Sequence, residues 1–269
     1  MSKPELSDVF RIRIEGVTKR FGGSDDGSDV LAVDDVSFQV RNGEFVTILG
    51  PSGCGKSTVL NMLAGLIEPS SGRILIDGRI AENRRRYFGY MFQKDLLFPW
   101  RTIVENVALG AEILGTPKRD AIAEAGAMLD RFGLGAFASR YPAQLSGGMR
   151  QRAALIRTLL CKRDMLLLDE PLGALDALTR SVMQEWLRGI WERERPTVVL
   201  ITHDIEEAIF LSQRVLVMSA RPGRIKEEIT IDLGPDRSHE IVTSTHFTDL
   251  KRHIMNLIYE EGVKVATAI

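Results

Sequence analysis

Three stretches of the chain carry residue types at spacings that could handle phosphate. GPSGCGKST at 50–58 fits the pattern G-x-x-x-x-G-K-[ST] and sits between an apolar run and a helical one. There Gly50 permits a tight exit from a strand, and Gly53 and Gly55 let backbone N–H groups wrap the phosphates. Lys56 reaches the outer phosphates and the Ser57 hydroxyl is placed to hold Mg²⁺. Pro51, Ser52, Cys54 and Thr58 complete the loop. Cys54 reads either as a reactive thiol at an electropositive helix start or as a small filler.

The second stretch, LSGGMRQRAALIRTLL at 145–160, is a second anion cradle. Ser146 can cap a helix while Gly147 and Gly148 let its N–H groups face a negative ligand. The third is MLLLDEP, which puts Asp169 and Glu170 at the C-terminal end of an apolar strand, where ligands bind in open α/β sheets. Asp169 suits an indirect, water-mediated grip on Mg²⁺, and Glu170 can polarise an attacking water. His203, in VVLITHD, ends another apolar strand and is expected beside Glu170, positioning the γ-phosphate and the water. Gln93 follows YFGYMF and could reach Mg²⁺ or that water, although alone it reads as a loop amide.

The elements that must position these residues alternate. VFRIRI at 9–14 has strand periodicity, and GGSDDGSD at 22–29 reads as a flexible turn. FQVRNGEFVTILG reads as a strand, an Asn-Gly turn and a buried strand. A helix is predicted from Lys56 to Gly65, and GRILIDG at 72–78 reads as a further strand. Strand runs vanish from about 94 to 160, where RDAIAEAGAMLDRFGL is an alanine-rich helix, so this stretch reads as an inserted helical subdomain. Then MLLLDE, a helix at 179–194, TVVLITHD, a helix at 205–211 and RVLVMS follow in βαβ rhythm. That argues for an α/β fold with a mostly parallel sheet. For 221–269 a short strand pair and a helix near 247–260 are expected.

The chain has 269 residues, 44% apolar and 26% charged, with a formal net charge of −1. That balance offers no global attraction for nucleic acid or an anionic membrane surface. RRR at 84–86 reads as a solvated turn rather than a nucleic-acid contact. Two cysteines, Cys54 and Cys161, without CxxC or metal spacing argue against a disulfide framework and for a reducing compartment. MSKPELSDVF lacks the apolar core of a signal peptide, and runs such as MLLL and VVLI are far short of the ~20 residues that span a bilayer.

Taken in order, GPSGCGKST, Gln93, LSGGMRQR, MLLLDE, GALD and His203 resemble the ATP-binding cassette (ABC) ATPases over residues 9–220. LSGGMRQR is the specific part of this resemblance. It implies a P-loop NTPase with a mixed, mostly parallel sheet, an antiparallel β subdomain and the inserted helical subdomain. Residues 1–220 would form the ATPase domain and 221–269 its C-terminal extension. It also implies ATP and Mg²⁺ as ligands, with Ser57, Gln93 and Asp169 toward the metal and Lys56, Gln93, Glu170 and His203 as the catalytic set. Two copies would pair head to tail, so that Ser146, Gly147, Gly148 and Asp176 of one meet the nucleotide in the loop of the other. Two positive helix ends would then share one anion. Phe21 stands where the family has an aromatic that stacks on adenine; here it lacks the hydroxyl of the commoner Tyr.

Among such ATPases, a single cassette with neither fused membrane helices nor a long coiled-coil insert resembles the ATPase subunit of an importer. Two permease subunits on other chains would contact 93–107, with Leu97, Phe98 and Trp100 either facing that partner or packing inside the subdomain. A separate solute-binding protein is implied, no nucleic acid, and a peripheral place on the cytoplasmic face of the membrane. PW at 99–100 and MSARPGRI at 218–225 are similar to the nitrate/sulfonate/taurine branch, which also includes carriers of thiamine-precursor pyrimidines. The alternative class is a cassette acting on nucleic acid or ribosomes.

Overall fold

A computed structural model describes residues 10–22, 29–234 and 237–267. Most of the turn expected at 22–29 lies outside those residues. The chain forms two compact units, residues 1–87 with 184–269 and residues 88–183.

In the first unit, β1 (Phe10–Phe21) pairs antiparallel with β2 (Val30–Arg41). The predicted Asn42-Gly43 turn leads into β3 (Phe45–Leu49), buried along its whole length. Helix α1 (Lys56–Leu63) follows, then β4 (Ser71–Ile76) and β5 (Arg79–Ile80). β1 lies between β2 and β4 in an antiparallel sheet ordered β2-β1-β4-β5. Its alternating pattern reflects one covered face.

The second unit opens with β6 (Phe88–Met91) and continues through α2 (Ile103–Ile113), α3 (Lys118–Arg131), α4 (Gly147–Leu159) and β7 (Met165–Asp169). It contains the helix-rich stretch read between 94 and 160. Thr102 and Glu105 start α2 reciprocally: the Thr102 N–H donates to Glu105 Oε2 at 2.9 Å, and the Glu105 N–H returns to Thr102 Oγ1 at 3.4 Å. Ser146 caps α4 in one direction only, accepting the Met149 N–H at 3.3 Å. β6 and β7 pair in parallel, Tyr90 opposite Leu167.

Helix α5 (Ala177–Glu194) starts two residues before the expected 179, because Asp176 accepts the Thr179 N–H at 3.0 Å and serves as its cap. The first unit then resumes with β8 (Thr197–Ile201), α6 (Ile205–Leu211), β9 (Arg214–Met218), β10 (Ile225–Thr230) and α7 (Thr245–Thr267). β3 lies between β8 and β9, parallel to both. Their continuous apolar runs suit strands covered on both faces.

Two expectations are corrected. Among the described residues the segment after 220 holds one strand rather than a pair: β10 turns back antiparallel onto β9. Helix α7 is longer than 247–260 and buries Phe247 and Ile254. The second correction concerns 84–86. Arg84 is 6% exposed, donating to Met62 O at 3.0 Å, Ala81 O at 3.2 Å and Glu68 Oε2 at 2.6 Å. It ties down the carbonyl end of α1, so the solvated-turn reading fails for Arg84 while Arg85 and Arg86 are exposed.

Candidate functional site

The phosphate loop leaves β3 and enters α1 through Gly55, the N-cap, at φ +102°. A Cβ at Gly55 would stand 2.8 Å from Ala32 O, so both conformation and space demand glycine there. Lys56 is buried, and its Nζ donates to Gly50 O at 2.7 Å and Pro51 O at 2.8 Å. Those bonds hold the ammonium over the loop it would share with a phosphate. Ser57 follows in the first turn, half-buried, with Thr58, while Ser52 and Gly53 are exposed at the loop's tip. Cys54 is 1% exposed, and burial pushes its thiol up, against the opposing pull of Lys56. Of the two readings, the packed filler is the one the structure supports.

In the same unit Phe21 ends β1 with its ring 40% exposed and Lys19 Nζ 5.2 Å from the ring centroid. His203 is exposed just past β8, on a turn built by its neighbours. The Asp204 N–H donates to Thr202 Oγ1 at 3.1 Å, and Asp204 Oδ1 accepts the Glu207 N–H at 3.1 Å to cap α6.

In the second unit Asp169 is 4% exposed at the end of β7. Burial, reinforced by the Asp169 carboxylate, raises the phenol of Tyr90 on the adjacent strand. Glu170 sits at φ +49°, a left-handed conformation costing on the order of 1–3 kcal/mol for a non-glycine residue. Gln93 Nε2 donates to Glu170 Oε2 at 3.3 Å, bringing together two residues 77 positions apart. Gln151, buried on α4, donates to Glu170 O and accepts from Ala174 N–H, both at 2.7 Å. Ser146 and Gly147 are exposed at the start of that helix, with Gly148 half-buried behind them. Asp176 is exposed, its carboxyl held below the usual range by the Thr179 N–H and hydroxyl.

The ABC transporter family profile matches residues 33–173, more than half of the chain. The chain belongs to the ABC transporter family. This ABC ATPase is 46% identical to the taurine import ATP-binding protein TauB of Rhizobium johnstonii over 240 residues, 87% of this chain and 91% of that protein. It is 41% identical to the aliphatic sulfonates import ATP-binding protein SsuB of Bacillus cereus over 258 residues, 96% and 99% of the two chains. Among solved structures, the dimeric post-hydrolysis state of the ATP-binding cassette MJ0796 bound to ADP and Pi matches with a TM-score of 0.75 at 31% identity. That match covers 82% of this chain and 99% of the other.

The structure thus places the loop set 50–58, Phe21 and His203 in one unit of this ABC ATPase, and Gln93, Ser146–Gly148, Asp169, Glu170 and Asp176 in the other. Leu97, Phe98 and Trp100 divide between their two readings. Leu97 is 8% exposed and packs inward, whereas Phe98 and Trp100 stack on each other at 5.0 Å with Trp100 71% exposed. Sequence reading missed Gln151, Tyr90 and Gly223. Gln151 falls between two arginines in the first turns of α4, and no local signal in the sequence marks it as buried. The loop's strict glycines and the buried Lys56 fit nucleotide phosphates. No cluster of three or more His, Cys, Asp or Glu suited to a metal occurs among the described residues. The half-buried Ser57 hydroxyl, at the start of α1 beside Lys56, is a hard oxygen donor of the kind that suits Mg²⁺ held largely through its nucleotide.

Proposed function

We propose that this ABC ATPase is the energising subunit of an importer for a small sulfonate-class solute such as taurine. It would act as a head-to-tail homodimer at the cytoplasmic face of a membrane, beneath two permease subunits fed by a separate solute-binding protein. The observation that carries this reading is the near end-to-end match to import ATP-binding proteins of taurine and aliphatic sulfonates. The exposed Phe98–Trp100 stack adds an apolar anchor of the kind a short permease helix would bury. No helix among the described residues is long and apolar enough to cross a membrane. The reading therefore assigns the membrane-spanning path to other chains.

Hydrolysis is an in-line attack of water on the γ-phosphate, so the protein's task is positioning and charge stabilisation. Lys56 and the N–H groups of 53–58 hold the β- and γ-phosphates. Mg²⁺, when bound by Ser57, Asp169 and Gln93, neutralises charge on those phosphates. Glu170 accepts the proton of the attacking water, Gln93 orients the Glu170 carboxylate through its 3.3 Å contact, and His203 holds the γ-phosphate. Ser146, Gly147, Gly148 and Asp176 complete the pocket of the partner copy, and Phe21 stacks on adenine.

The test is reconstitution with the neighbouring permease in vesicles. ATP turnover should rise on adding taurine or an alkanesulfonate with its binding protein, and Glu170→Gln should abolish turnover by ~10²-fold or more while ATP still binds. Stimulation by unrelated solutes alone would contradict the assignment.

A further inference from the structure

Between α4 and Glu170 lies one buried amide with both of its ends engaged. Gln151 is 7% exposed, with Nε2 on Glu170 O and Oε1 on the Ala174 N–H, each at 2.7 Å. Ala174 belongs to the GALD loop that ends at Asp176, and the Gly173 N–H also donates to Glu170 O at 3.3 Å. Glu170 is the residue at φ +49°, so its carboxylate points where it does only while the surrounding bonds impose that backbone. Of these two bonds to its carbonyl, the shorter comes from Gln151, on a helix rather than in the loop itself.

The same helix grips the segment that carries Gln93. Arg150, one residue before Gln151, places Nε 2.9 Å from Asp95 Oδ2. Arg157 donates to Asp95 O at 2.6 Å and Leu96 O at 2.8 Å. Helix α4 is therefore bonded along its length to the backbones beside both members of the Gln93–Glu170 pair, while its N-terminus presents Ser146 and Gly147 to solvent.

We infer that Gln151 is a positioning residue that makes the setting of Glu170 follow the N-terminus of α4. Occupancy of Ser146–Gly148 by the partner's nucleotide is thereby transmitted to this copy's own water-activating carboxylate. This rests on the roles proposed above for Ser146 and Glu170. Its consequence is that the two nucleotides of the pair sense each other through a side chain that touches neither. Coupling through one buried amide bonded at both ends needs no large movement: displacing a reacting group by about 1 Å costs on the order of 10²-fold in rate.

The experiment measures steady-state ATP hydrolysis by the full-length chain against ATP concentration, for wild type, Gln151→Met and Gln151→Glu. Met keeps the volume and removes both bonds, whereas Glu keeps an acceptor for Ala174 N–H but sets an oxygen against Glu170 O. Wild type should respond to ATP with a Hill coefficient above 1. Both variants should lose roughly 10- to 100-fold in kcat, with the Hill coefficient falling toward 1 and half-saturation within about 3-fold of wild type. Thermal unfolding and nucleotide affinity of each variant are measured alongside. The inference is overturned by a Gln151→Met chain with wild-type turnover and steepness, or by a wild-type coefficient of 1. A variant whose defect lies in nucleotide affinity or unfolding temperature rather than turnover overturns it too. Glu170→Gln run in the same assay separates the two claims: undiminished turnover there refutes the role given to Glu170 itself.

Discussion

Gly223 passes so close to the phosphate loop that a Cβ on it would stand 2.0 Å from the carbonyl oxygen of Cys54. The glycine is fixed there by two bonds to β2: its N–H donates to Ala32 O, and its carbonyl accepts the Asp34 N–H, both at 3.0 Å. Gly55 leans on the same Ala32 carbonyl. The RPGRI turn, far away in sequence, is thus part of what shapes the phosphate cradle. Gly223→Ala should weaken ATP binding by about 10-fold and destabilise the fold by ~1–3 kcal/mol, although residue 223 has no side chain to offer a ligand. Titration calorimetry with ATP and urea unfolding check this; wild-type affinity would show that the loop's shape does not depend on the turn.

Cys54 should be chemically quiet despite its place in the loop. Its thiol is raised above the ordinary cysteine value mainly by burial, so the thiolate is scarcer at neutral pH than in a free cysteine. Burial raises Cys161 in the same direction. Alkylation by iodoacetamide at pH 7–8 should be far slower than for a model thiol, accelerating only above the ordinary thiol range or on unfolding. Mass spectrometry after timed labelling gives the rates. Rapid modification of Cys54 in the folded protein would restore the reactive-thiol reading.

Arg84→Ala should lower stability by about 1–3 kcal/mol, because it removes the buried guanidinium that donates to the Ala81 carbonyl and reinforces the Met62 carbonyl at the end of α1. Arg85→Ala and Arg86→Ala should each change it by less than about 1 kcal/mol, their side chains being solvated. Chemical denaturation of the three variants separates them. An equal effect at all three positions would mean that the run acts through its net charge.

The parts of the fold that were readable in the sequence are those written by local physics. FVTIL, MLLLD and TVVLI are unbroken apolar runs and became fully buried strands. Ser146 capped its helix as a serine before two glycines should. What could not be read depends on neighbours distant in the chain. Arg84 looks solvated in RRR, yet the carbonyls it bonds belong to α1 and the Ala81 turn. Gly223 looks like an ordinary turn glycine until the Cys54 carbonyl is set against it. Gln151 sits between two basic residues with nothing local to mark it, because its partners Glu170 and Ala174 come about 20 residues later. Phe98 and Trp100 differ from Leu97 only through packing inside the helical unit, which periodicity over four residues does not specify.

The most direct measurement of the central claim, that the α4 N-terminus completes a pocket belonging to a second copy, compares Ser146→Arg with Lys56→Ala for ATP affinity in dilute monomer and for ATP-driven dimerisation by light scattering, both in a Glu170→Gln background. The account predicts that Lys56→Ala loses ATP binding outright. Ser146→Arg should bind ATP within about 3-fold of the parent yet fail to dimerise, because an exposed residue that serves only the partner's nucleotide adds nothing to its own copy. An affinity loss in monomeric Ser146→Arg as large as that of Lys56→Ala, or an undisturbed ATP-driven dimer, would contradict it.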